Sequence, residues 1–313
     1  VEYGEKWFTR NENVTNSHCY GIWQSIFPFL DWRDASKYPV VEHGFIPARL
    51  FTDEIDKASR VSCVTFSDYR KEVIREKRNV PVFTVGPYIQ YAEQFYDEEK
   101  RLAKKRGLGK TLLFFPGHSV NTASVSREML SLLTQLEMIA SNYETVLVCV
   151  FWWDLNSPTL KEYEDRGYKV VSAGYVNDPM FLSRLKTIIS LSDAVSSDVL
   201  GTHAAYCWSL GKPFSLINCS TRYDTSDARL ASDESFTLVE SNITQAIGEA
   251  SKRNNTLLNY YWGIDVKRPE KQRRMIADIS SEITEITHGV IPLVPSAVRL
   301  LLNRYERVGN EEA

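Results

Sequence analysis

Several common signatures are missing from this 313-residue chain, and each absence removes a class of function. No GxGxxG follows an apolar strand, which argues against a dinucleotide-dependent dehydrogenase, and no GxxxxGK[ST] occurs, which argues against a P-loop kinase or ATPase. A GxSxG nucleophile elbow is absent too. Asp154-Leu155-Asn156 is a poor substitute for a DxD metal site, and no Cys/His spacing suits zinc, so neither a metal nor another cofactor is expected. There is no apolar run of about 18 residues, the minimum for a membrane-crossing helix, and nothing resembles a secretory leader. The chain opens on Val1 and not Met, which leaves room for a preceding segment.

An excess of one charge is also lacking: 37 Lys and Arg stand against 40 Asp and Glu, for a formal charge of -3. The densest basic runs, Arg70 to Arg78 and Lys104 to Lys110, carry acids or fall on helix surfaces and linkers, so no nucleic-acid partner is expected. Cysteine is sparse and odd in number. Cys19, Cys63, Cys149, Cys207 and Cys219 lie far apart, mostly among apolar residues, and read as buried thiols in a reducing cytoplasm.

What the chain does have is alternation. The aromatic-rich opening, with Trp7, Phe8, Tyr20, Trp23, Phe27, Phe29 and Trp32, follows no single period. Beyond it Tyr38 to Glu42, Val61 to Phe66 and Val80 to Val85 read as strands, with Tyr69 to Lys77 as a helix. Residues 1–87 are taken as a small α/β lobe and 88–108, charged and helix-prone, as an interlobe linker.

Residues 109–232 show the stronger pattern. Thr111 to Phe115, Thr145 to Phe151, Lys169 to Ser172, Ala194 to Ser196 and Pro213 to Ile217 are expected as strands. Ser124 to Asn142, Leu160 to Arg166, Pro179 to Ser190 and Thr202 to Leu210 are expected as helices. Such alternation implies a Rossmann-like parallel sheet whose ligands lie beyond the carboxyl ends of its strands. Residues 233–313 read as a helical segment packing across the lobes, with a long helix around Lys271 to Thr287 broken by Gly289 and Pro292.

Chemistry is therefore sought at strand ends. In Phe115-Pro116-Gly117-His118-Ser119, Gly117 permits close backbone approach while His118 and Ser119 offer donors to an anion; the same residues read equally as a helix cap. From Ser192 to His203 a strand ends in Ser196 and Ser197, and a helix begins near Gly201-Thr202. Its free N–H groups and dipole suit a diphosphate, with His203 beside them; the plain alternative is an N-cap at Ser197 and Asp198 with His203 filling a core gap. Tyr175 and Asp178 follow another strand, and Trp152 a third, where they could hold a base; a strand–turn–helix capped near Asp178 and a core aromatic pair explain them as well. In the first lobe Glu42-His43-Gly44 places an ionisable pair at a strand end, and a histidine with an ordinary pKa near 6.5 can take a proton from a hydroxyl near neutrality.

The order of these pieces resembles the two-lobed GT-B-type glycosyltransferases, in particular the bacterial capsule and teichoic-acid enzymes of the CDP-glycerol glycerophosphotransferase-like group. The resemblance rests on Glu42-His43-Gly44, on Val85-Gly86-Pro87-Tyr88, on Leu112 to Ser119, and on Ser192-Asp193 through Ser197 followed by Gly211-Lys212-Pro213. It implies an acceptor-side first lobe with His43 as base, beside Glu42, and with His118 near the transferred group. Gly117, Ser119, Ser196, Ser197, Gly201, Thr202 and His203 would form the donor phosphate site, and Tyr175, Asp178 and Trp152 would lie toward the base. The implied activity moves a sugar or polyol-phosphate from a nucleotide-activated donor to a hydroxyl of a surface-polysaccharide precursor. Its partners would be that donor and a polysaccharide or lipid-linked acceptor, with room for peripheral association at the inner face of the membrane. Two alternatives share the fold: a nucleotide-sugar 2-epimerase-like enzyme, and a non-catalytic nucleotide-sugar-binding subunit, which the short first lobe allows.

Overall fold

The computed structural model describes residues 19–31, 39–42, 44–45, 49, 62–78, 80–118, 123–217, 219, 222–225 and 256–288. It is an α/β protein with two parallel sheets. In the first lobe β1 (Val40–Val41), β2 (Cys63–Thr65) and β3 (Val82–Thr84) pair in the order β1-β2-β3, and α2 (Asp68–Lys77) crosses between β2 and β3. An aromatic helix α1 (Ile22–Ile26) precedes them, where the sequence gives no period to follow.

After α3 (Glu98–Leu108) the second lobe runs β4 (Thr111–Phe115), β5 (Ala123–Ser126), α4 (Met129–Ala140), β6 (Thr145–Cys149), α5 (Thr159–Glu164), β7 (Lys169–Val171), α6 (Phe181–Leu191), β8 (Ala194–Ser197), α7 (Thr202–Ser209), β9 (Phe214–Leu216) and β10 (Arg222–Thr225). The five parallel strands lie in the order β7-β6-β4-β8-β9. Counted from the first strand of the lobe this is 3-2-1-4-5, the order of a doubly wound sheet whose winding reverses between its first and fourth strands. Burial follows position. Thr111–Phe115 is buried at every residue, whereas β7 and β9, at the two edges, are half-exposed.

One expectation fails in an instructive way. The stretch from Ser124, read as the start of a long helix, begins as strand β5, antiparallel to β10, and the helix starts only at Met129. That partner lies some way along the chain, beyond the reach of local periodicity.

The segment read as a linker opens with Tyr88–Tyr91, a short 3-10 turn in which Tyr88 and Ile89 are wholly buried. Tyr88 stacks on Phe66 at 4.1 Å and its hydroxyl donates to the carbonyl of Glu42 (2.7 Å). One apolar core runs from Val64, Phe66 and Val85 of the first lobe to Leu113, Phe115 and Leu147 of the second. Of the C-terminal helices, α9 (Glu270–His288) returns to this core through Ile276, Ile279 and Ile283, while α8 (Thr256–Trp262) packs through Leu258, Tyr261 and Trp262 in a separate cluster with Phe45, Tyr69, Val73 and Ala205. Gly289 and Pro292 lie outside the described residues.

Candidate functional site

The reversal of winding leaves a crevice between the carboxyl ends of β4 and β8, and a cavity of about 320 Å³ opens there. One wall is Pro116 and His118 after β4; another is Val199 to His203, where α7 begins. From the other lobe Gly44 and Phe45 close over that helix start. The Phe45 N–H donates to Thr202 Oγ1 (2.9 Å), and a side chain on Gly44 would stand 3.2 Å from the same oxygen, so glycine there sets how closely the lobes meet. Phe45 is also packed on Trp262 of α8, ring centres 4.6 Å apart.

The first turn of α7 has no side-chain cap: Gly201 stands at the N-cap in extended conformation. The orphan amides of a helix start and its positive dipole end are therefore directed to the cavity. No Lys, Arg, Asp or Glu is among the described residues that line it, and the helix start contributes positive potential there. His203 does not add a charge. Burial, reinforced by His118 and opposed by a hydrogen bond with the Val199 backbone, pushes its pKa down to about 3, which leaves a neutral imidazole at physiological pH. Its Nε2 lies 3.0 Å from Ser197 Oγ.

The other residues expected at the site fall into three groups. Ser196 and Ser197 lie behind the cavity, wholly buried: Ser197 Oγ donates to the Phe115 carbonyl (2.7 Å) and Ser196 Oγ to that of Ser215 (3.2 Å). Their hydroxyls tie neighbouring strands together. His118, Gly201, Thr202 and His203 line the cavity, with His118 stacked on Phe151 at 4.2 Å, whereas Gly117 does not line it and its N–H is taken by Asp198. Trp152 and Tyr175 meet edge to face at 4.8 Å beside the cavity residues Phe151 and Ala173, with the indole N–H of Trp152 buried and without a hydrogen-bond partner. Asp178 accepts from the Met180 N–H (2.8 Å) and pairs with Arg184 (2.8 Å), so its carboxylate is engaged in the turn before α6, whose N-cap is Met180.

Glu42 is a correction. It points into the first lobe, not toward the cavity, and forms an ion pair with Arg70 (2.6 Å) in which both side chains are wholly buried. Thr65 Oγ1 adds a hydrogen bond of 2.6 Å. A carboxylate so enclosed holds a strand end in place and has no route to a substrate proton. His43 and Ser119 lie outside the described residues. Lys212, within the Gly-Lys-Pro motif, donates to the carbonyls of Ser190 (3.3 Å) and Ser192 (2.5 Å), closing the end of α6.

Sequence reasoning passed over one pair. Asp198, after β8, accepts from the Gly117 N–H (2.6 Å) and pairs with Arg127 (3.1 Å), whose other nitrogen reaches the Gly117 carbonyl. This bracket fixes the two loops of the crevice to each other. Arg127 was hidden because the stretch around it reads as helix; Asp198 was visible only as a cap.

No group of three His, Cys, Asp or Glu among the described residues could hold a metal ion, and no helix among them is long and apolar enough to cross a membrane. No family model matches the sequence, and no curated protein does. Among solved structures, that of the wall teichoic acid polymerase TagF is similar over 75% of this chain, at 14% identity and a TM-score of 0.37. The match spans 60% of that chain's length.

Proposed function

We propose that the chain is a two-lobed transferase that takes a nucleotide-activated sugar or polyol and passes the sugar or polyol-phosphate to a hydroxyl of a surface-polysaccharide precursor. The observation that supports this most is the cavity at the switch point, closed by the first lobe and facing an uncapped helix start. Its volume of about 320 Å³ is at the low end of the ~300–1,000 Å³ of small-molecule sites. It suits the diphosphate and the transferred unit, with the base directed along Phe151 to Trp152 and Tyr175.

In this reading the acceptor oxygen attacks the transferred unit, the bond to the donor's leaving phosphate breaks, and the acceptor's proton passes to His43, the residue before Gly44. The orphan amides of α7 receive the charge that develops on the leaving phosphate. Cys63, Cys149 and Cys207 are buried and Cys19 and Cys219 partly so, with no disulfide among the five, which suits a reducing compartment.

The test has two stages. Nucleoside diphosphates and nucleotide sugars are screened by thermal shift, where a ligand at 100 times its dissociation constant stabilises by about 2.7 kcal/mol. His43→Ala should then retain that shift and lose turnover. Absence of protection by every nucleotide overturns the reading, and unchanged turnover in the variant removes His43 from it. The lack of a Lys, Arg, Asp or Glu among the described residues that line the cavity favours one rival, a nucleotide-sugar-binding subunit without chemistry. Donor hydrolysis or transfer by the wild type excludes that rival.

A further inference from the structure

Helix α6 separates two cavities on one face of the five-stranded sheet. Phe181, Leu182 and Leu185 line the first; Arg184, Ile188 and Leu191, displaced around the helix, line a second of about 540 Å³. The two share no lining residue. The second exists because β7 is an edge strand: α3 and α6 pack against each other, Val171 of β7 is left half-buried, and Lys169 of β7 pairs with Leu147 of β6.

Its chemistry differs from that of the first. The floor and walls are aliphatic, and Phe95, 39% exposed, stands at the mouth. Three cations, Lys104, Lys169 and Arg184, are among the described residues that line it, and no carboxylate is. Arg184 is already engaged by Asp178 (2.8 Å) and lies 5.6 Å from the centre of the Phe95 ring. Lys104 and Lys169 are exposed, Lys104 with its ammonium 5.0 Å over the Tyr96 ring. An apolar trough of this size with a cationic rim complements a chain that is apolar along its length and negative at one end.

We propose that this trough binds a single-chain anionic amphiphile from solution, with its alkyl chain on Leu147, Val171 and Ile188 and its carboxylate or phosphate monoester at Lys104 and Lys169. The full chain is titrated by calorimetry with dodecyl phosphate and with dodecanoate, each below its micelle concentration. Dodecyl maltoside and dodecyltrimethylammonium serve as same-length controls and inorganic phosphate as a head without a chain. Both anions should bind at least tenfold more tightly than either control or phosphate, and hydrogen exchange should slow in β7 and α6. The variant Lys104→Glu/Lys169→Glu changes two exposed side chains, so its fold should be intact by circular dichroism, and it should lose tenfold or more in affinity for dodecyl phosphate. Lys169→Gln should lose part of that. Equal binding of the cationic and anionic chains, unchanged affinity in the charge-reversed variant, or no binding below the micelle concentration overturns the proposal. None of these outcomes bears on the nucleotide cavity, whose own test uses nucleotides.

Discussion

Glu42 and Arg70 show how far a single side chain can mislead when only its neighbours in sequence are known. Beside His43 and Gly44 the carboxylate looks like part of a reactive pair, yet it is fully enclosed and shared between Arg70 and Thr65. The Glu42 carbonyl meanwhile receives the Tyr88 hydroxyl. A buried ion pair adds little against an apolar pair of equal volume, but breaking one partner strands the other charge at a cost of about 3–5 kcal/mol. Glu42→Ala should therefore lower the unfolding free energy by that order, read as a lower urea midpoint at unchanged m-value, while Glu42→Leu/Arg70→Met should recover most of the loss. A Glu42→Ala protein as stable as the wild type would refute this account. Gly44 carries the opposite lesson: two residues on from Glu42 it faces the second lobe, where a Cβ would stand 3.2 Å from the Thr202 hydroxyl that receives the Phe45 N–H, a tight but small encroachment.

Among the elements, α3 has a local cause at each end, although the sequence reading takes 88–108 only as a charged, helix-prone linker. Asp97 caps α3 through the Lys100 N–H (2.8 Å), Glu98 and Glu99 occupy its first turn, Lys105 and Arg106 its last, and Gly109 ends it at φ +63. The all-apolar strand from Leu112 to Phe115 was legible for the same kind of reason. Strand β5 was not, since its pairing with β10 depends on a distant segment. The docking of the C-terminal helices belongs to this scale too. Gly86 has φ +72, and a side chain there would come within 2.0 Å of the Val266 carbonyl, so the turn after β3 and the chain after α8 fit only without one. Replacement by alanine combines a left-handed backbone with this clash, each worth about 1–3 kcal/mol. Gly86→Ala should be destabilised by more than about 1 kcal/mol in urea, with faster amide exchange in Thr256–Trp262 than elsewhere; uniform exchange would argue against this docking.

The molecule as a whole has two sheets bridged by one apolar cluster that includes α1, the turn at Tyr88 and α9, with further clusters within each lobe among the described residues. Lobes joined in this way should not unfold separately. Urea unfolding followed by tryptophan fluorescence and by far-ultraviolet circular dichroism is expected to give one coincident transition; two separated midpoints would mean that the interlobe packing is weak. The sequence by itself determined the α/β class, the parallel strands and the strand ends beyond which the cavity opens, because hydrophobic period, caps and turn residues act over a few positions. It could not determine that β4 and β8 lie side by side, that Asp198 and Arg127 bracket the crevice, or that Glu42 turns inward. Those facts depend on which distant segments share a surface, and burial and charge pairing are properties of that surface alone.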